Sequence, residues 1–105
     1  MLERSLQINN EFFQTSEYAK KIVEELNNDA EGLIFDEFVH DIGAQLKIDV
    51  VYDKQSKSKW LLGEDANVKL YLEENPGVYT FTFIGTTPQG EQQIQETITT
   101  INTYS

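Results

Sequence analysis

The stretch NVKLYLEENPGVYTFTFIG, residues 67 to 85, decides the fold class. In residues 68 to 72 apolar and polar side chains alternate, which is the period of a strand with one buried face. The tripeptide Asn-Pro-Gly at residues 75 to 77 is a turn signal, and residues 78 to 84 again predict a strand. Three aromatic residues share one face of this second strand: Tyr79, Phe81 and Phe83. The stretch therefore predicts an antiparallel hairpin whose apolar face needs a second layer.

The segments before this hairpin have two different periods. In residues 11 to 29 and 33 to 46 the apolar side chains recur mainly every three or four residues, which predicts two helices. The segments KIDVVYD, residues 47 to 53, and KWLLG, residues 59 to 63, predict short strands. The first half of the chain is therefore expected to be helical and the second half to form a sheet.

The carboxyl-terminal residues 91 to 104 allow two interpretations. Ile94, Ile98 and Ile101 would align on one side of a helix, but the branched side chains of the run TITTINTY favour a strand. We favour the strand, with TTPQGE at residues 86 to 91 as a hairpin turn. The chain is then one α+β domain, residues 1 to 105, with an N-terminal helical pair packed on an antiparallel meander of four or five strands.

The charge of the chain limits its partners. Eighteen acidic and eight basic residues give a net charge of -10, and residues 54 to 63 are the one basic segment. Direct binding to nucleic acid needs a basic surface, so we expect none, and we expect a protein partner with a basic surface instead. The alternative is that the acidity only keeps the protein soluble and monomeric.

Other features narrow the class of protein. Without cysteine the chain has no disulfide, no thiolate zinc site and no cysteine nucleophile. The first residues lack the pattern of a signal peptide, and no segment approaches the ~18 apolar residues of a membrane span. We therefore expect a cytoplasmic protein without membrane contact.

His40 is the only histidine, and three carboxylates surround it: Asp36, Glu37 and Asp41. On a helix, residues three and four positions before His40 can reach its imidazole. Glu-x-x-His is a ligand spacing of dinuclear metal sites in helical bundles, but such sites need a second motif that this chain lacks. The cluster is then a solvated helix face, an acid/base dyad in which Asp36 or Asp41 orients His40, or a single-metal site; we favour the first and expect neither metal nor cofactor.

The first function hypothesis is a small acidic protein-interaction domain without enzymatic activity. Its carboxylates would imitate DNA phosphates in the basic cleft of a nucleic-acid enzyme, as an inhibitor or decoy of phage or mobile-element origin. The candidate partner-binding residues lie on the two predicted helices and their connection: Glu24, Glu25, Asp29, Glu31, Asp36, Glu37 and Asp41.

Two alternatives stay open. The order of elements resembles cystatin-like and NTF2-like architectures, which implies a small-molecule-binding or enzymatic domain with His40 as its acid/base residue. An assembly subunit or homo-oligomer is the other alternative, because both faces of residues 78 to 84 carry apolar side chains.

Overall fold

The structure is a computed structural model that describes residues 1 to 26, 31 to 51 and 58 to 104. Its elements in chain order are β1 (Leu2–Asn9), α1 (Phe12–Thr15), α2 (Glu17–Leu26), α3 (Glu31–Leu46), β2 (Lys59–Glu64), β3 (Val68–Asn75), β4 (Val78–Gly85) and α4 (Pro88–Asn102). The predicted α+β class with an antiparallel sheet is confirmed. Within the described ranges no helix combines the length and apolar content needed to cross a membrane.

The sheet has four antiparallel strands in the order β1-β4-β3-β2. Strands β2, β3 and β4 form the predicted meander, and the turn between β3 and β4 contains Gly77 at a φ of 77°. Strand β1, from the start of the chain, pairs with β4 and forms one edge of the sheet. In this register Phe81 stands opposite Leu6 on one side and Leu72 on the other.

Helices α3 and α4 pack on one face of the sheet. The ring of Phe38 on α3 lies 5.7 Å from that of Phe81, and Ile94 of α4 packs beside Gly85. Phe81, Ile94 and the alternating apolar residues of β3 are fully buried. Helices therefore cover the apolar face of the hairpin, as its sequence requires. Residues 78, 80, 82 and 84 lie on the opposite face.

The prediction that the first half is helical is wrong for its first residues. Leu2–Asn9 form β1, which pairs along its whole length with β4. Leu2, Leu6 and Ile8 have the even spacing of a strand face, and Ile8 is buried. That short pattern becomes a stable strand only because β4 supplies the backbone partners.

The prediction of a strand at residues 91 to 104 is also wrong, because Pro88–Asn102 form α4. The segment TTPQGE is a helix start: the hydroxyl of Thr87 accepts a hydrogen bond from the Gly90 N–H at 3.1 Å, and Pro88 occupies the first turn. Thr97 and Thr99 each donate their hydroxyl to the carbonyl four residues earlier, at 2.7 and 2.9 Å. These bonds satisfy the hydroxyls inside the helix, so the threonines do not require a strand.

The strand predicted at residues 47 to 53 is absent from its described part, residues 47 to 51. Lys47 has a φ of 61° and ends α3, and the chain then runs beside β2. The Val51 N–H donates to the Leu62 carbonyl at 3.1 Å, so the segment contacts β2 at one hydrogen bond. Residues 52 to 57, which include Lys54 and Lys57 of the basic segment, lie outside the described residues.

Candidate functional site

The start of α2 fixes the direction in which its side chains point. The hydroxyl of Ser16 accepts a hydrogen bond from the Ala19 N–H at 3.0 Å and donates to the Phe12 carbonyl. The Glu17 N–H donates to the Tyr104 carbonyl at 3.3 Å, which ties the start of α2 to the residues after α4. The first turn of α2 therefore lies beside the residues that follow α4.

Tyr18, in that first turn, connects the core to the surface of α3. Its side chain is buried, and its hydroxyl donates a hydrogen bond to Oδ2 of Asp41 at 2.5 Å. Burial raises the pKa of Tyr18 well above its ordinary value of 10, and the hydrogen bond and negative charge of Asp41 raise it further. Tyr18 therefore stays protonated at physiological pH and keeps donating to Asp41.

A groove of about 190 Å³ lies between α2, α3 and α4 around this pair. Its buried lining residues are Tyr18, Phe38, Ile42, Thr97 and Ile101. Its exposed lining residues include Asp41, Gln45 and Lys21. We call this feature the Tyr18–Asp41 groove; it combines an apolar interior with a carboxylate and an ammonium group at its opening.

Tyr104, after α4, forms part of the same groove. Its ring meets the Tyr18 ring edge to face, with centroids 5.3 Å apart. The Nζ atom of Lys21 lies 5.8 Å from the centroid of the Tyr104 ring, within the range of a cation–π interaction. The groove therefore already holds a cation against an aromatic ring.

The two helices on either side of the groove are acidic. Helix α3 contains Glu31, Asp36, Glu37 and Asp41, helix α4 contains Glu91 and Glu96, and neither helix contains lysine or arginine. Glu37 stands one turn before Asp41 on α3, so their charges add at the same place. Among the described residues that line this opening, Lys21 of α2 carries the positive charge.

Comparison of the chain with protein families, with curated proteins and with solved structures finds no match. The chemistry of the groove and of the helices around it is therefore the basis for a functional assignment.

The seven candidate acids predicted from the sequence do not form one cluster. Asp41 lines the Tyr18–Asp41 groove, and Asp36 and Glu37 are half-buried on α3. Glu24 and Glu25 are exposed on α2, where Glu24 lines a different groove, together with Lys20 and Val23. Two of the seven cannot be placed: Asp29 lies outside the described residues, as does the side chain of Glu31, the first residue of α3.

His40 is exposed on α3 and is not among the residues that line the Tyr18–Asp41 groove. Asp41, one of the two carboxylates predicted to orient it, bonds to Tyr18 instead. Among the described residues, no group of three or more histidine, aspartate and glutamate side chains is arranged to hold a metal ion. The position of His40 is that of a polar residue on a helix surface.

Sequence reasoning identified Asp41 but missed the aromatic half of the site. Tyr18 fell within the apolar stripe of the first predicted helix, and Tyr104 lay in the segment assigned to a strand. The helical spacing of Ile94, Ile98 and Ile101 was the signal that could have placed Tyr104 in the site, because a helix over these residues brings the end of the chain near α2.

Proposed function

We propose that the protein is an acidic interaction domain whose α3–α4 surface binds a basic surface of a partner protein. The observation that carries this proposal is that α3 and α4 pack together, hold six acidic residues and contain no lysine or arginine. Carboxylates bind lysine and arginine through charge-assisted hydrogen bonds, and a surface of one sign accelerates encounter with the opposite sign.

The ion pairs among the described residues leave Asp36, Glu37 and Asp41 of α3 without a cationic partner. Among the described residues, Lys20 pairs with Glu17 at 3.4 Å and Lys69 pairs with Glu64 at 3.9 Å, both away from α3. Another pair joins the amino group of Met1 to Glu91 of α4 at 3.5 Å. The α3 carboxylates of the described residues therefore keep their charge available for a partner.

The specific form of this function is that of an inhibitor or decoy for a nucleic-acid enzyme. A cleft that binds phosphates presents arginine and lysine side chains, which also donate bidentate or single hydrogen bonds to carboxylates. Occupation of that cleft by α3 and α4 would exclude nucleic acid. The exposure of His40 beside these acids fits this interpretation better than an enzymatic role for the imidazole.

Capture from a cell lysate by the immobilised protein tests this proposal. One variant neutralises the proposed surface by Asp36→Asn, Glu37→Gln and Glu96→Gln. The matched control removes the same number of charges from the sheet by Glu3→Gln, Glu64→Gln and Glu73→Gln. We expect the wild type and the control to retain a nucleic-acid-binding protein at low salt and release it at ~0.5 M salt, where screening is stronger. The surface variant should not retain it. Equal retention by the two variants would contradict the proposed surface.

A further inference from the structure

We propose that the Tyr18–Asp41 groove binds one arginine side chain of the partner protein. This inference rests on the proposed function, because it assigns to the groove a particular contact within the basic partner surface. A groove that binds arginine needs three features: a hydrogen-bond acceptor for the guanidinium, an aromatic ring beside that group and an apolar wall for the aliphatic part of the side chain.

Asp41 supplies the acceptor. Its Oδ2 atom receives the Tyr18 hydroxyl at 2.5 Å, which fixes the carboxylate at the opening of the groove. A carboxylate has further acceptor capacity at Oδ1 and at the second lone pair of Oδ2. Glu37, one turn before Asp41, adds negative charge at the same place.

Tyr104 supplies the ring, and Lys21 marks where a cation fits. The ammonium of Lys21 lies 5.8 Å from the Tyr104 centroid, and both residues line the groove. Lys21 is exposed on α2, so its long side chain can swing into solvent. A guanidinium stacks on an aromatic face better than an ammonium does, and it sheds water more readily.

The size of the groove selects a single side chain. Its volume of about 190 Å³ is below the roughly 300 to 1,000 Å³ typical of pockets for drug-sized ligands. Ile42 and Ile101 are buried in its lining and offer apolar contact to the methylene groups of an arginine. Lys21 occupies the same opening, so it competes with the incoming arginine.

This competition gives a test with a matched control. Lys21→Ala and Lys20→Ala remove the same charge from neighbouring positions of α2, but Lys20 pairs with Glu17 instead of approaching Tyr104. Both variants should gain affinity for a cationic peptide through their higher net negative charge. The Lys21→Ala variant should gain about threefold more, because it also frees the aromatic ring, a contact of roughly 0.5 to 1 kcal/mol at an exposed site.

The experiment is an NMR titration of the full chain with a hexa-arginine peptide at low salt. We expect saturable shifts of the Tyr18 and Tyr104 ring signals, tighter binding by Lys21→Ala than by Lys20→Ala, and weaker binding by Tyr104→Leu. Circular dichroism checks that Tyr104→Leu remains folded; both lysine positions are exposed. Peptide binding that shifts α3 signals but leaves both rings unchanged would overturn the groove assignment and leave the acidic surface intact. Equal affinities of the two lysine variants would do the same. Absence of any peptide binding would overturn both proposals.

Discussion

The hydroxyl of Tyr18 on α2 donates to the carboxylate of Asp41 on α3 at 2.5 Å, although Tyr18 is 2% exposed and Asp41 lies at the surface. The ring of Tyr18 also meets Phe38 edge to face at 5.3 Å, inside the core. One side chain thus contributes to the stability of the helical layer and to the orientation of a surface acid. Changes at this pair affect both properties, and they can be measured separately.

Replacement of Tyr18 by Phe should lower the free energy of unfolding by about 1 kcal/mol. The ring contacts remain, while the hydrogen bond to Asp41 is lost and water takes its place at the exposed carboxylate. Urea unfolding measures the change. Asp41→Asn should cost less, since an amide oxygen still accepts from the tyrosine; a larger loss in Asp41→Asn would contradict this account of the bond.

The pair should also make the protein sensitive to alkaline pH. Because burial and Asp41 raise the pKa of Tyr18 in the folded state, the folded protein holds this proton more tightly than the unfolded chain does. Its contribution to stability is complete below the unfolded value of about 10 and declines as the pH rises above it. Urea unfolding from about pH 9 to pH 11 should therefore show a smaller loss for Tyr18→Phe than for the wild type. Burial and the charge of Glu74 also raise the pKa of Tyr79. Adding Tyr79→Phe to Tyr18→Phe should therefore reduce the loss of stability between about pH 9 and pH 11 further. Identical losses in all variants would exclude a role for both tyrosines.

Gly90 holds α4 against the turn before β3. A Cβ atom at this position would lie 2.0 Å from the Asn67 carbonyl oxygen, so Gly90→Ala requires backbone movement and should cost about 1 to 3 kcal/mol. Gly77→Ala is the comparison: no atom lies within 4 Å of its Cβ position, and a cost of roughly 1 to 2 kcal/mol arises from the positive φ alone. Thermal unfolding measures the loss of stability in both variants. Hydrogen exchange should also show faster exchange of the α4 amides in Gly90→Ala than in the wild type. Unchanged exchange in α4 would contradict the close packing at Gly90.

His40→Gln should leave both stability and partner capture unchanged. The side chain is exposed, and surface substitutions of this kind usually change the free energy of unfolding by no more than about 0.5 kcal/mol. Urea unfolding and the lysate capture measure the two properties. A variant that folds normally but fails to capture the partner would show that the imidazole takes part in binding.

The sequence predicted those parts of the fold whose signals are local. The hairpin at residues 67 to 85 has two alternating runs and a turn between them, and α3 has an uninterrupted helical stripe. Strand β1 depends on pairing Leu2 with Gly85 near the other end of the chain, which no local pattern reveals. Helix α4 was missed because its threonines were weighed as strand formers, whereas their hydroxyls bond to carbonyls within the helix.

The candidate site was predictable only in its charge. Asp41 was identified as one acid of an acidic helix surface, but its partner Tyr18 was assigned to the core and Tyr104 to a strand. The groove exists because α4 returns Tyr104 to the start of α2, where its carbonyl accepts from the Glu17 N–H. Without α4, the sequence could not place an aromatic ring beside the acid.

The most direct test of the acidic interaction surface is the salt dependence of affinity for the partner isolated by low-salt capture. Calorimetric titration of that partner compares the wild type with the variant Asp36→Asn, Glu37→Gln, Glu96→Gln and with the charge-matched sheet variant Glu3→Gln, Glu64→Gln, Glu73→Gln. If α3 and α4 form the interface, the surface variant binds more weakly and loses less affinity as salt rises, while the sheet variant follows the wild type. Parallel salt dependence in all three proteins would contradict an interface on α3 and α4.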